Sequence, residues 1–165
     1  MMEDKKKESS QKMDEPVSMF ELFARMFSIT AKHVEKHFGQ EGLDVLADAI
    51  KEFGMERGQD IARRAAAAGK PNTPENYLDH YDMERSELFG YQNDYQPEGI
   101  YQEFTDCVFA NTWIKAGDER YGRIYCENID PAIAKGYNQD MECIHDKIMY
   151  DDNKCTFCFK MKDDK

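Results

Sequence analysis

Four cysteines and one histidine stand in the last third of the chain: Cys126, Cys143, His145, Cys155 and Cys158. Cys107 precedes them. Side chains scattered this way meet only in a folded chain. If they meet, a thiol and an imidazole can work as a nucleophile and its base. Each residue also has a plain structural reading. Free cysteine is a common buried residue. Asp130, followed by Pro131, reads as the N-cap of a helical turn. His145 reads as a residue on a half-exposed strand.

Two other chemistries fit poorly. Cys155 and Cys158 have the spacing of half a zinc site or of a redox pair. On a strand, residues three apart point to opposite faces. A redox pair normally opens a helix, whose dipole lowers the thiol pKa. A second such pair, or a histidine pair at zinc spacing, is missing. No P-loop or glycine-rich dinucleotide motif is present, so neither a cofactor nor a metal is expected.

Length and composition bound the rest. A chain of 165 residues with 41% apolar and 12% aromatic residues can build one core. A net charge of −11 argues against nucleic acid, whose phosphates need clustered Lys and Arg. Residues 1–15 read as a disordered polar tail, with 16–165 as a single domain. The head lacks the apolar region of a secretory signal. No apolar run is long enough to span a membrane. Five cysteines, an odd number, fit reduced thiols in a cytoplasm. A homo-oligomer is left open.

The elements that must position these residues follow from spacing. Ser18 to Glu21 forms a capping box at the start of a helix over 18–37, with Gly39 as its stop. A second helix is expected over 41–68, where Leu43, Leu46, Ile50, Phe53, Ile61 and Ala65 keep helical rhythm. Gly54, Gly58 and Ala62 form a stripe of small residues. Close helix packing is the favoured reading of it, and a pocket wall is the alternative. Thr73 and Pro74 predict a third helix reaching residue 89, then a loop over 93–99.

A strand is expected over 100–109, with Ile100 and Phe104 on one face and Cys107 on the other. The segment 110–116 is ambiguous and is anchored by Trp113. Asp118 should cap a helix carrying Cys126, with a separate turn from Asp130 to Gly136. A hairpin closes the chain, with strands over 142–150 and 154–162. Pairing Tyr150 with Cys155 would put Ile144 on the face of Phe157 and Phe159, and His145 on the other. The predicted class is α+β: N-terminal helices packed with a small antiparallel sheet that ends in a C-terminal hairpin.

Several of these segments together resemble the L-2-amino-thiazoline-4-carboxylic acid hydrolase family. They are Phe53-Gly54-Met55-Glu56-Arg57-Gly58, Cys107, Tyr125 to Asp130, Gly136-Tyr137-Asn138, His145, and Cys155-Thr156-Phe157-Cys158-Phe159. The resemblance covers roughly residues 40–162. One departure is the hairpin turn, where the family usually has glycine and this chain has Asp151-Asp152-Asn153. The closing strand also looks like that of vinyl-reductase-type small-molecule-binding domains.

The resemblance implies a hydrolase that opens a small cyclic amidine with water, giving an N-carbamoyl amino acid. It implies Cys126 as nucleophile or pocket thiol and His145 as base. Asp130 would orient His145 or hold the amidine. Cys107, Asn138 and Cys155 would line the pocket, with Trp113 as a wall. Arg57 or Arg123 would hold a substrate carboxylate. The alternative is a non-catalytic binding or sensor domain on the same scaffold.

Overall fold

The computed structural model describes residues 16–84 and 87–163. The expected N-terminal tail lies outside them. Helix α1 (Met19–Ala67) opens where Ser18 accepts the amide of Phe20 at 3.1 Å. It is broken at Gly39, whose φ of 63° and ψ of −149° are not helical. The predicted pair of helices with a glycine stop is therefore present as two arms of α1. Trp113 is fully buried and ties the first arm to helix α2 (Val108–Ala116), its indole donating to the Ala24 carbonyl at 2.7 Å.

The second arm crosses helix α3 (Glu119–Tyr137) through the small-residue stripe. A Cβ on Gly58 would stand 2.1 Å from the Ile133 carbonyl oxygen, and one on Gly136 would stand 2.3 Å from that of Met55. The stripe is thus a helix crossing, in which the absent side chains let two backbones touch.

Helix α3 corrects one expectation. It runs unbroken through Pro131, so Asp130 lies inside a helix and is no N-cap. Pro131 has no N–H to give to the carbonyl four residues back, yet packing on α1 holds the helix.

The region after α1 departs from the predicted third helix. Two single 3-10 turns, Pro74–Asn76 and Leu78–His80, lead into irregular chain and then strand β1 (Phe89–Gln96). The expected loop over 93–99 is mostly this strand. β1 forms a hairpin with β2 (Gly99–Cys107). Strands β3 (Met141–Lys147) and β4 (Cys155–Met161) complete an antiparallel sheet of order β1-β2-β4-β3. The predicted α+β class is the observed one.

Two irregularities reset which residues face inward. On β2, Gly90 pairs with Asp106 but Tyr91 pairs with Phe104. Thr105 is thus an extra residue, and it puts Cys107 on the face of Phe104 instead of the opposite one. In the closing hairpin, Phe157 pairs with His145 rather than Ile148, an offset of three residues. An odd offset inverts the faces. His145 and Cys143 therefore lie with Phe157 and Phe159, while Ile144 is 44% exposed.

The cause is the connection. A short helix α4 (Met149–Asp152) replaces the expected tight turn, and Asn153 closes it with φ 54°. Asparagine tolerates this left-handed conformation where most residues do not. That accounts for a turn without glycine.

Candidate active site

The inner face of the sheet presents a row across three strands, in which Gln102 of β2, Phe157 of β4 and His145 of β3 are neighbours. Above it lie α3, the Arg57 turn of α1 and the chain from Leu78 to Glu84. Between them is a cavity of about 130 Å³. Its walls are mainly aromatic, including Tyr81, Phe89, Tyr91, Phe104, Phe109 and Tyr125. Its polar lining includes Arg57, Asp130, His145 and three thiols, Cys107, Cys126 and Cys155, with Glu84, Asn93 and Gln102 also present.

Six of the nine expected site residues therefore converge: Cys126, His145, Asp130, Cys107, Cys155 and Arg57. Three stand elsewhere. Trp113 is sealed behind the aromatic wall. Arg123 forms a bidentate pair with Asp151 at 3.0 and 2.8 Å and lies over the Tyr150 ring. Asn138 follows α3, donates to the Asn72 carbonyl at 2.7 Å and accepts the Asp140 amide. The sequence reading missed Asp82 and the aromatic lining of β1. No periodic signal in the sequence marks the β1 residues Phe89 and Tyr91 as lining, because only Phe89 of that edge strand is buried.

Asp130 stands out electrostatically. Among the described residues its carboxyl has no hydrogen bond or ion pair. Burial lifts its pKa to about 6, against the opposing pull of the Arg57 charge. Arg57 itself is committed. Its Nε and Nη2 donate to the two Asp82 carboxylate oxygens at 2.9 and 2.7 Å. The guanidinium also lies over the rings of Phe53 and Tyr81. Burial is the largest single influence and opposes its charge, but the Asp82 hydrogen bond together with the Coulombic pull of Tyr81, Asp82 and Tyr125 exceeds it and raises the pKa.

The thiols are poor thiolates. Burial pushes Cys107 up to about 11 and Cys155 up to about 12, and holds Cys126 well above the ordinary thiol value. Cys126 lies 3.6 Å from the Tyr150 hydroxyl. Burial lowers the pKa of His145, which favours neutral imidazole, while backbone contacts with Cys126 and Lys147 oppose the shift. The His145 ring lies against Phe157 at 4.3 Å between centroids, and its Nε2 is buried without a hydrogen-bond partner. Among the described residues no group of three or more His, Cys, Asp or Glu is placed to hold a metal ion. None of their helices is long and apolar enough to cross a membrane.

Helices over an antiparallel sheet, enclosing an aromatic-lined pocket that holds the Asp130 carboxyl, define an α+β protein with a small-molecule-sized site. The L-2-amino-thiazoline-4-carboxylic acid hydrolase family model matches residues 19–159, and the chain belongs to that family. No curated protein and no solved structure matches the chain.

Proposed function

We propose that the protein hydrolyses a small cyclic amidine of the 2-aminothiazoline type, opening the ring to an N-carbamoyl product. The observation that carries this reading is Asp130, an unpaired carboxyl in an aromatic pocket whose pKa of about 6 lies near a working pH. The electrophile is the amidine carbon between nitrogen and sulfur. Asp130 takes a proton from water as the water oxygen bonds to that carbon. The tetrahedral adduct gives its hydroxyl proton to the ring nitrogen, or to solvent if the ring entered protonated, and collapses; the carbon–sulfur bond breaks, and Asp130 returns the first proton to the departing sulfur. One water is added, and the amidine becomes a urea.

His145, as neutral imidazole, directs the attacking water through its unpartnered Nε2. Cys126, Cys107 and Cys155 serve as neutral pocket thiols, because burial opposes a resting thiolate. All five cysteines are free, which supports a cytoplasmic setting.

The test is mass spectrometry after incubation with 2-aminothiazoline and with its 4-carboxylate. A product heavier by one water, lost in Asp130→Asn, is expected. No product from either compound on folded protein would sink the reading. The high-pKa thiols and the aromatic lining favour one rival, a non-catalytic binding domain. A melting shift with both compounds and no turnover would identify it.

A further inference from the structure

We propose that the pocket selects a small planar cation that bears no carboxylate, and that Asp82 is the residue that sets this choice by occupying one edge of Arg57. The inference rests on the amidine reading above for its ligand class, and it deepens that reading by naming the charge the ligand carries.

The charges that line the cavity do not balance among its described residues. Arg57 is the cation among its described lining residues, and its bidentate pair with Asp82 neutralises it. Both side chains of the pair are largely buried, at 13% and 16% exposure, so the pairing is not diluted by water. Among the described lining residues Asp130 is then an anion in excess. Exposed Glu84, which also lines the cavity, adds a second negative charge. His145 supplies no compensation, since burial favours its neutral form.

The shape of the site matches the same ligand. A protonated cyclic amidine is flat, and one of its N–H groups can donate to one Asp130 oxygen, leaving the other for the attacking water. Aromatic faces such as Phe104 and Tyr125 attract a delocalised cation. A carboxylate on the same ligand gains less. It would bring a further negative charge beside Asp130 and Glu84. It would also have to compete with Asp82 for Arg57 or share the guanidinium with it. Removing the Asp82 charge should reverse this balance, because Arg57 would then be an unpaired cation facing the pocket.

The experiment measures binding, so that it does not depend on turnover. Titration calorimetry on the full chain compares 2-aminothiazoline with 2-aminothiazoline-4-carboxylate, for the native protein and for Asp82→Asn. Asparagine still offers Arg57 a carbonyl oxygen, and thermal melting checks that the variant folds. The native protein should bind the uncarboxylated amidine at least about tenfold tighter, and Asp82→Asn should shift the ratio at least about tenfold toward the carboxylate. Asp130→Asn should weaken the uncarboxylated cation most.

Tighter native binding of the carboxylate, an unchanged ratio in folded Asp82→Asn, or no binding of either compound would each overturn the proposal. If Asp82→Asn does not fold, the native ratio and Asp130→Asn decide. Binding in the expected order without ring opening would sink the hydrolase reading and leave this one standing. Ring opening with a preference for the carboxylate would do the reverse.

Discussion

The hydroxyl of Tyr150 and the sulfur of Cys126 stand 3.6 Å apart, linking α4 to α3 at the edge of the pocket. The Tyr150 contact favours the thiolate of Cys126, but burial weighs more and leaves the thiol pKa well raised. Alkylation by iodoacetamide at pH 7.5 should therefore be at least about tenfold slower at Cys126 than for a free thiol. Peptide mass spectrometry over time reads the rate. Fast labelling at neutral pH would show a thiolate in the pocket and return Cys126 to the role of nucleophile. Under the Asp130 mechanism, Cys126→Ser should keep ring-opening activity within about tenfold of native.

Asp130 gives a pH dependence with a definite sign. Ring opening needs the carboxylate, so kcat/KM should rise through about pH 6 and level off above it. Stability should run the other way. A folded pKa raised from 3.8 to about 6 means that the folded state holds the proton more tightly than the unfolded one. Unfolding free energy then falls as pH climbs from about 4 to 6, by at most on the order of 3 kcal/mol, since Asp130 is half-buried and solvent screens part of the effect. Asp130→Asn should lose at least about a hundredfold in kcat/KM yet melt higher than native at pH 7.5. A variant that is both inactive and less stable would mean that Asp130 holds the fold through a contact its bare carboxyl does not suggest.

Much of this was legible in the sequence, and the exceptions share a cause. Ser18 acts through a side chain that bonds two residues on and Gly39 through its own backbone, so the start and the break of α1 could be read locally. The stripe at Gly54 and Gly58 could be read as close packing because small residues in register have few other uses. Strand β1 was not legible. It is an edge strand with little buried beyond Phe89, so its sequence shows no clear alternation. Pro131 suggested a helix start because local chemistry says so, and packing against α1 overrode it. Convergence of Cys107, Cys126, Asp130 and His145 was anticipated only through the family pattern. The faces of Cys107 and His145 depended on a bulge at Thr105 and on a helical turn at 149–152, which periodicity does not reveal.

The hairpin register is testable by two neighbouring substitutions. Ile144 faces out, while Cys143 pairs with Phe159 on the core face. Ile144→Thr should change the unfolding free energy by no more than about 0.5 kcal/mol, as a surface substitution does. Cys143→Lys should cost several times as much, because it carries a charge into the core face. Urea denaturation of the two variants separates the registers. Equal costs, or a larger cost at Ile144, would restore the inverted pairing and carry His145 out of the pocket.

Gly58 governs how closely α1 can approach α3, and through that approach how Arg57 and Asp130 share the lining of one cavity. An added Cβ would lie 2.1 Å from the Ile133 carbonyl oxygen and 2.5 Å from the Tyr137 amide nitrogen. Both obstacles are backbone, so no side chain can turn aside, and the helices must separate. Alanine would gain about 1 kcal/mol of helix propensity, whereas overpacking of this kind costs about 1–3 kcal/mol or more. Gly58→Ala should therefore lower stability by about 2 kcal/mol or more despite being the better helix former. It should also reduce amidine binding, because Arg57, Tyr125 and Asp130 lie on the two helices that part. Denaturation and calorimetry on the same sample check both effects. A Gly58→Ala protein as stable as native would mean that the two helices do not touch at this crossing.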